Sequence, residues 1–152
     1  MSSSGLPTRV KLTADATAIT SSTPAAVAGL LFTLTSGTYY TFKFLLLVQT
    51  SDATVGPRLG LSLPAFTTFG ATVTALFAAD GAAATWTGAL TVDDDYTTLT
   101  DLPAASTSYL VTVEGVILPS GAGDVQIIAA REGATGTITI KQASAGLLFE
   151  LA

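Results

Sequence analysis

Three consecutive aspartates, Asp93, Asp94 and Asp95, are the densest group of potential ligands in this sequence. Hard cations take carboxylate and carbonyl oxygens, so the triplet could hold calcium or magnesium. It lacks the glycine and the terminal bidentate glutamate of an EF-hand loop, and adjacent side chains in an extended chain point in alternate directions. A solvated turn is the expected reading. Asp52, Asp80, Asp101 and Asp124 lie beside turn signals, where aspartate bonds its own backbone. The glutamates are Glu114, Glu132 and Glu150, and nothing in their spacing sets two of them across a cleft as glycosidase chemistry requires. Serines are plentiful, but the chain has no His, no Cys and no Ser-x-x-Lys, so no serine has a base to activate it. Gly121 and Gly123 mark a turn with no helix after them, which is not a phosphate cradle. The sequence therefore points away from catalysis, and no cofactor or metal site is expected. Among the aromatics, Trp86 and Tyr96 could top exposed loops and stack on a sugar, although a packed Trp with a bonded N–H is the commoner arrangement.

The elements that would carry these residues are strands. Residues 30–50, LLFTLTSGTYYTFKFLLLVQT, read as two strands joined by a tight turn at Ser36-Gly37. Tyr40, Phe42, Phe44, Leu46 and Val48 share one parity and so one face, the expected core face. The opposite parity carries Tyr39, Thr41, Lys43, Leu45, Leu47 and Gln49, polar at first and then apolar. A strand apolar on both faces is covered twice, and Leu45 and Leu47 are the expected contacts with another subunit. Further strands are expected over residues 9–13, 58–63, 71–78, 84–90, 108–118, 124–132, 137–142 and 146–151, with short ones possible within loops at 16–20 and 96–100. Gly115, inside a strand, suggests a bulge or a close backbone approach. About nine or ten strands at this spacing, with no sustained three-and-four apolar periodicity, give an all-β, single-domain antiparallel sandwich over residues 9–152. Residues 1–8, which include Ser2, Ser3, Ser4 and Leu6, read as a flexible or docking arm.

Composition limits the partners. A net charge of -5 with six scattered basic residues argues against a nucleic-acid footprint. The start MSSSGLPTR lacks the pattern of a secretory signal, and the longest apolar run is far short of a membrane helix. Only 11% of residues are charged, against roughly 25% in ordinary soluble domains. Either Thr and Ser wet the surface alone, or much of it lies in an assembly, since interface cores are depleted of charge; the second is favoured.

The segment SGTYYTFKF, residues 36–44, resembles a strand of the complement-type and tumour-necrosis-factor-like jelly roll. The ordered set LLFTLTSGTYYTFKF, RLGLSLP, TWTGAL, YLVTVEGVILPSGAGDVQIIAARE and TITIKQASAGLLFEL, over roughly residues 27–151, is similar to a module of tailed-bacteriophage virion proteins. The resemblance implies a homotrimer of jelly rolls displayed on a phage particle. In longer phage proteins the module tends to follow a tail-attachment region, whereas here only a short arm precedes it. That difference favours a non-enzymatic decoration or cement protein that stabilises the head by bridging capsomers of the major capsid protein. The alternative is the receptor-binding head of a tail fibre or spike, with Trp86, Tyr96 and Asp93 to Asp95 as its ligand loops.

Overall fold

The computed structural model describes residues 6–79, 82–99, 102 and 104–151. Eleven strands run in order β1 (Thr8–Lys11), β2 (Ala25–Leu34), β3 (Tyr39–Thr50), β4 (Pro57–Ser62), β5 (Phe66–Ala79), β6 (Ala82–Leu90), β7 (Tyr96–Thr98), β8 (Ser108–Pro119), β9 (Gly123–Arg131), β10 (Ile138–Ile140) and β11 (Ala145–Leu151). The chain is an all-β sandwich of two antiparallel sheets. The larger has the order β1-β11-β3-β8-β5-β6, with β10 also pairing β3, and the smaller has the order β2-β9-β4-β7.

The alternation of β3 decides which way the sandwich faces. Phe42, Phe44, Leu46 and Val48 are buried to within about 1%, as a single parity requires. They meet Leu30, Phe32 and Leu34 of β2 and Val125 and Ile127 of β9 from the other sheet. Phe32 and Phe44 span the two layers with ring centroids 5.3 Å apart, within the 4.5–7 Å of a favourable aromatic pair. Gly146 of β11 leaves room for both rings, since a Cβ there would lie 2.8 Å from Phe44 and 2.9 Å from Phe32. Gly115 also marks a close approach, because a Cβ on it would meet the Gly70 carbonyl at 2.4 Å.

The expected hairpin over residues 30–50 is not one. Strand β2 belongs to the smaller sheet and β3 to the larger, so Ser36-Gly37 turns a corner between layers. Gly37 takes a φ of 82°, a region that costs other residues strain. Its N–H donates to the Pro119 carbonyl at 2.8 Å, and Ser36 Oγ donates to the Ser120 carbonyl at 2.9 Å. The β8–β9 connection changes sheets at this same corner. The segment 16–20 contributes one isolated bridge, Ile19 with Ile138, and no named strand. Strand β5 starts at Phe66, five residues before the expected 71; there Phe66 and Phe69 pack with tilted rings 5.3 Å apart, and the pairing with β8 shifts register between Phe66 and Thr68. The turns expected beside Asp80 and Asp101 lie outside the described residues.

Four strand pairs are nested in sequence: β1 with β11, β2 with β9, β3 with β8 and β4 with β7. The β5–β6 hairpin is an insertion between the innermost pair, and it widens the larger sheet beside β8.

Candidate functional site

The acidic triplet forms a turn in which the Asp93 and Asp95 carboxylates serve the backbone. The Leu63 N–H donates to Asp93 Oδ1 at 2.6 Å and the Thr91 N–H donates to Asp95 Oδ2 at 2.9 Å. Asp94 sits at a φ of 56°, a left-handed conformation that Asp tolerates better than most residues. Among the described residues, no three His, Cys, Asp or Glu side chains come together as a metal site. Asp52 acts likewise in its own turn, accepting from the Thr54 N–H and hydroxyl, which hold its carboxyl below the usual range.

Trp86 and Tyr96 do not form one loop. Trp86 lies within β6, opposite Ala75 on the inward parity, half-buried and packed against the core. Gly88 makes space beside it, since a Cβ there would lie 2.6 Å from the indole and 2.5 Å from the Thr97 hydroxyl. The reading of Trp86 as the top of an exposed loop is therefore corrected. Tyr96 opens β7, is exposed, and carries the Arg58 guanidinium 5.6 Å above its ring. Arg58 also donates to the Ser22 carbonyl at 2.8 Å, which ties the β1–β2 connection to the outer face of the smaller sheet.

A cleft of about 530 Å³ opens between that connection and β2. Strand β2 leaves its register with β9 between Ala26 and Leu31, and Gly29 takes a φ of 85° there. The walls are mainly Ala14, Ala16, Ala25, Ala26, Ala28 and Thr17. Asp15, at its edge, accepts from the Gln142 N–H at 2.7 Å and from Lys141 Nζ. Those two bonds, the first the stronger cause, hold its carboxyl below the usual range. Lys11, Thr13 and Thr17 also line the cleft, but its one carboxylate is already engaged and the rest of the wall is small or apolar.

The outer face of the larger sheet has a different character. Tyr39 and Leu45 of β3, Leu76 of β5, Leu110 and Val116 of β8, and Phe149 and Leu151 of β11 share its outward parity, and all seven are exposed. Leu76 is 62% exposed and Leu110 51%. Half-buried Leu47, Leu118 and Leu147 link them on the same side. Their exposures sum to on the order of 700 Å², shared among apolar groups that Thr41, Lys43, Thr72, Thr112 and Glu114 of the same parity separate, so an unusually large apolar area lies on one side of the molecule. The outer face of the smaller sheet instead presents Thr33, Asp124, Gln126, Ser62 and Arg58, a polar surface that water covers well.

At the centre of the apolar face, Lys43 and Glu114 stand directly opposite each other on β3 and β8. Lys43 Nζ lies 3.8 Å from Glu114 Oε2, and both side chains are about half exposed. Arg9 and Lys11 lie at the β1 edge of the same face. Of the residues singled out by sequence, Leu45 is exposed on this face, and Leu47 is half-buried beside Leu110. Leu6 is 90% exposed, while Ser2, Ser3 and Ser4 lie outside the described residues. Leu76, Val116, Phe149 and Leu151 were not anticipated. Their alternation was legible, but which parity faces outward follows from sheet pairing over long sequence separations. Comparison with protein-family models and with curated proteins finds no match for this chain.

Proposed function

We propose that this chain is a non-enzymatic virion structural protein of a tailed bacteriophage, a jelly roll that assembles as a homotrimer and decorates the capsid. The observation that carries this reading is the apolar outer face of the larger sheet, on the order of 700 Å², close to the ~800 Å² that each partner contributes to a standard stable interface. A face of that size left in water is a liability; covered by copies of the chain it drives assembly. Low charge fits the same purpose, since charged groups are the costliest to bury in an interface core. The nested strand pairs support the jelly-roll description, because a long antiparallel ribbon rolled on itself gives such a nesting.

In this reading the trimer bridges capsomers by burying surface and adding no chemistry, with the major capsid protein as its second partner. The arm, including Ser2, Ser3, Ser4 and Leu6, orders on the capsid surface. The experiment is quantification of the protein in purified particles, together with cryo-microscopy of the intact virion. Hundreds of copies on the capsid lattice support decoration. A few dozen or fewer at the tail support the receptor-binding head. Absence from particles overturns both.

A further inference from the structure

We infer that Lys43 and Glu114 pair between copies of this chain, each ammonium meeting the carboxylate of the next subunit at the centre of the covered face. The inference rests on the self-association proposed above and adds the device that sets its register.

The two charges occupy opposite positions on β3 and β8 in the middle of the outward side. Leu45 and Leu147 flank Lys43, and Val116 follows Glu114 on the same parity, so a partner that covers these neighbours also covers the charges. The contact within one chain is 3.8 Å long between half-exposed side chains, beyond the 2.7–2.9 Å of a strong charge-assisted hydrogen bond. It leaves most of the three ammonium donors and of the four or so carboxylate lone-pair positions to water. Covering the face with a purely apolar surface would strip that water and leave both groups under-bonded, which is costly.

A second copy resolves this, because it brings one cation and one anion to the same place. The pair sums to zero charge, so a partner with a net charge at this point would leave one group unmatched. In a trimer, three Lys43 and three Glu114 side chains alternate about the axis, and each group gains a second opposite neighbour. An apolar sheet face alone permits sliding by one pleat or by one strand. An alternating ring of charge permits one register, as polar groups at otherwise apolar interfaces do elsewhere.

The test uses four forms of the full chain at matched concentrations: wild type, Lys43→Glu, Glu114→Lys and the double swap. Sedimentation velocity reads mass, and circular dichroism confirms the fold of each form. Either single reversal places like charges together and should raise the dissociation constant at least about thirtyfold. The double swap should recover the wild-type assembly. The deciding sample is a mixture of the two single variants. Charges that pair between copies let unlike variants bind each other where neither binds itself, so the mixture gives mixed dimers, and trimers with one repulsive contact, at concentrations where each variant alone is monomeric; a pair confined to one chain leaves each single variant assembling as the wild type does. Wild-type assembly that survives both reversals overturns the pairing while leaving self-association intact. A wild type that stays monomeric overturns the self-association itself, and with it this inference.

Discussion

Replacing Leu110 with aspartate separates assembly from folding more cleanly than any other change on the outer face. Leu110 is 51% exposed, which corresponds to roughly 100 Å² of surface, and removing that area from water is worth about 2.5 kcal/mol at ~25 cal/mol/Å². Leu110→Asp forfeits that contribution and puts a carboxylate against an apolar partner surface, which adds a desolvation cost. The association constant should fall by on the order of a hundredfold or more per contact. Leu110 points away from the core, opposite Leu47 of β3 and beside β5 on the outer face, so the isolated subunit should keep its fold with a change of about 0.5–1 kcal/mol. Leu47→Asp is a weaker probe, because Leu47 is half-buried and its N–H bonds to buried Ser144 Oγ at 2.9 Å. The assay is light scattering behind size-exclusion chromatography, with a thermal melt on the same sample. Monomers with a wild-type melt support the reasoning. Oligomers of unchanged mass at micromolar concentration refute it, because they show that this face is open in the assembly.

Three further expectations concern the subunit. Gly146→Ala drives a methyl to within about 2.8 Å of the Phe44 ring and should destabilise by about 1–3 kcal/mol through overpacking; denaturant unfolding measures it, and an unchanged midpoint would mean the Phe32–Phe44 seam is looser than described. Asp15 and Asp52 have folded pKa values held below 3.8 by their hydrogen bonds. Their stabilisation is therefore present above the unfolded value and lost as pH falls through the folded one, so the stability gap between wild type and Asp15→Ala should be full at neutral pH and close in strong acid. Asp93→Ala removes the acceptor for the Leu63 N–H and should cost about 1 kcal/mol, while millimolar calcium should leave the melting temperature of the wild type unchanged; a calcium-dependent rise would restore the cation reading of the triplet.

The core was legible wherever one strand alternates strictly. Tyr40 to Val48 and Tyr109 to Val113 announce their inward faces by parity, and Leu59, Leu61 and Leu63 are buried as their spacing requires. The corner at Ser36-Gly37 was not legible as a corner, because a turn glycine suits a hairpin and a change of sheet equally well. Its role follows from Pro119, more than eighty positions later, whose carbonyl receives the Gly37 N–H. Gly88 and Trp86 illustrate the same limit: TWTGAL reads as a strand, but the missing Cβ is explained by Thr97 of β7, a strand of the other sheet. The apolar outer face was half legible for this reason. Leu45 and Leu47 stood out as surplus apolar residues on a strand whose other face was already filled. Leu76, Leu110, Val116 and Phe149 join them only once β5, β8 and β11 are placed beside β3.

The mass of the wild-type chain in solution, measured by sedimentation equilibrium from nanomolar to high micromolar concentration, tests the covered face most directly. Three copies of the 15.3 kDa chain, dissociating reversibly on dilution, are the result expected. A single 15.3 kDa species across the whole range would mean the apolar sheet face is stable in water, and would contradict the account at its centre.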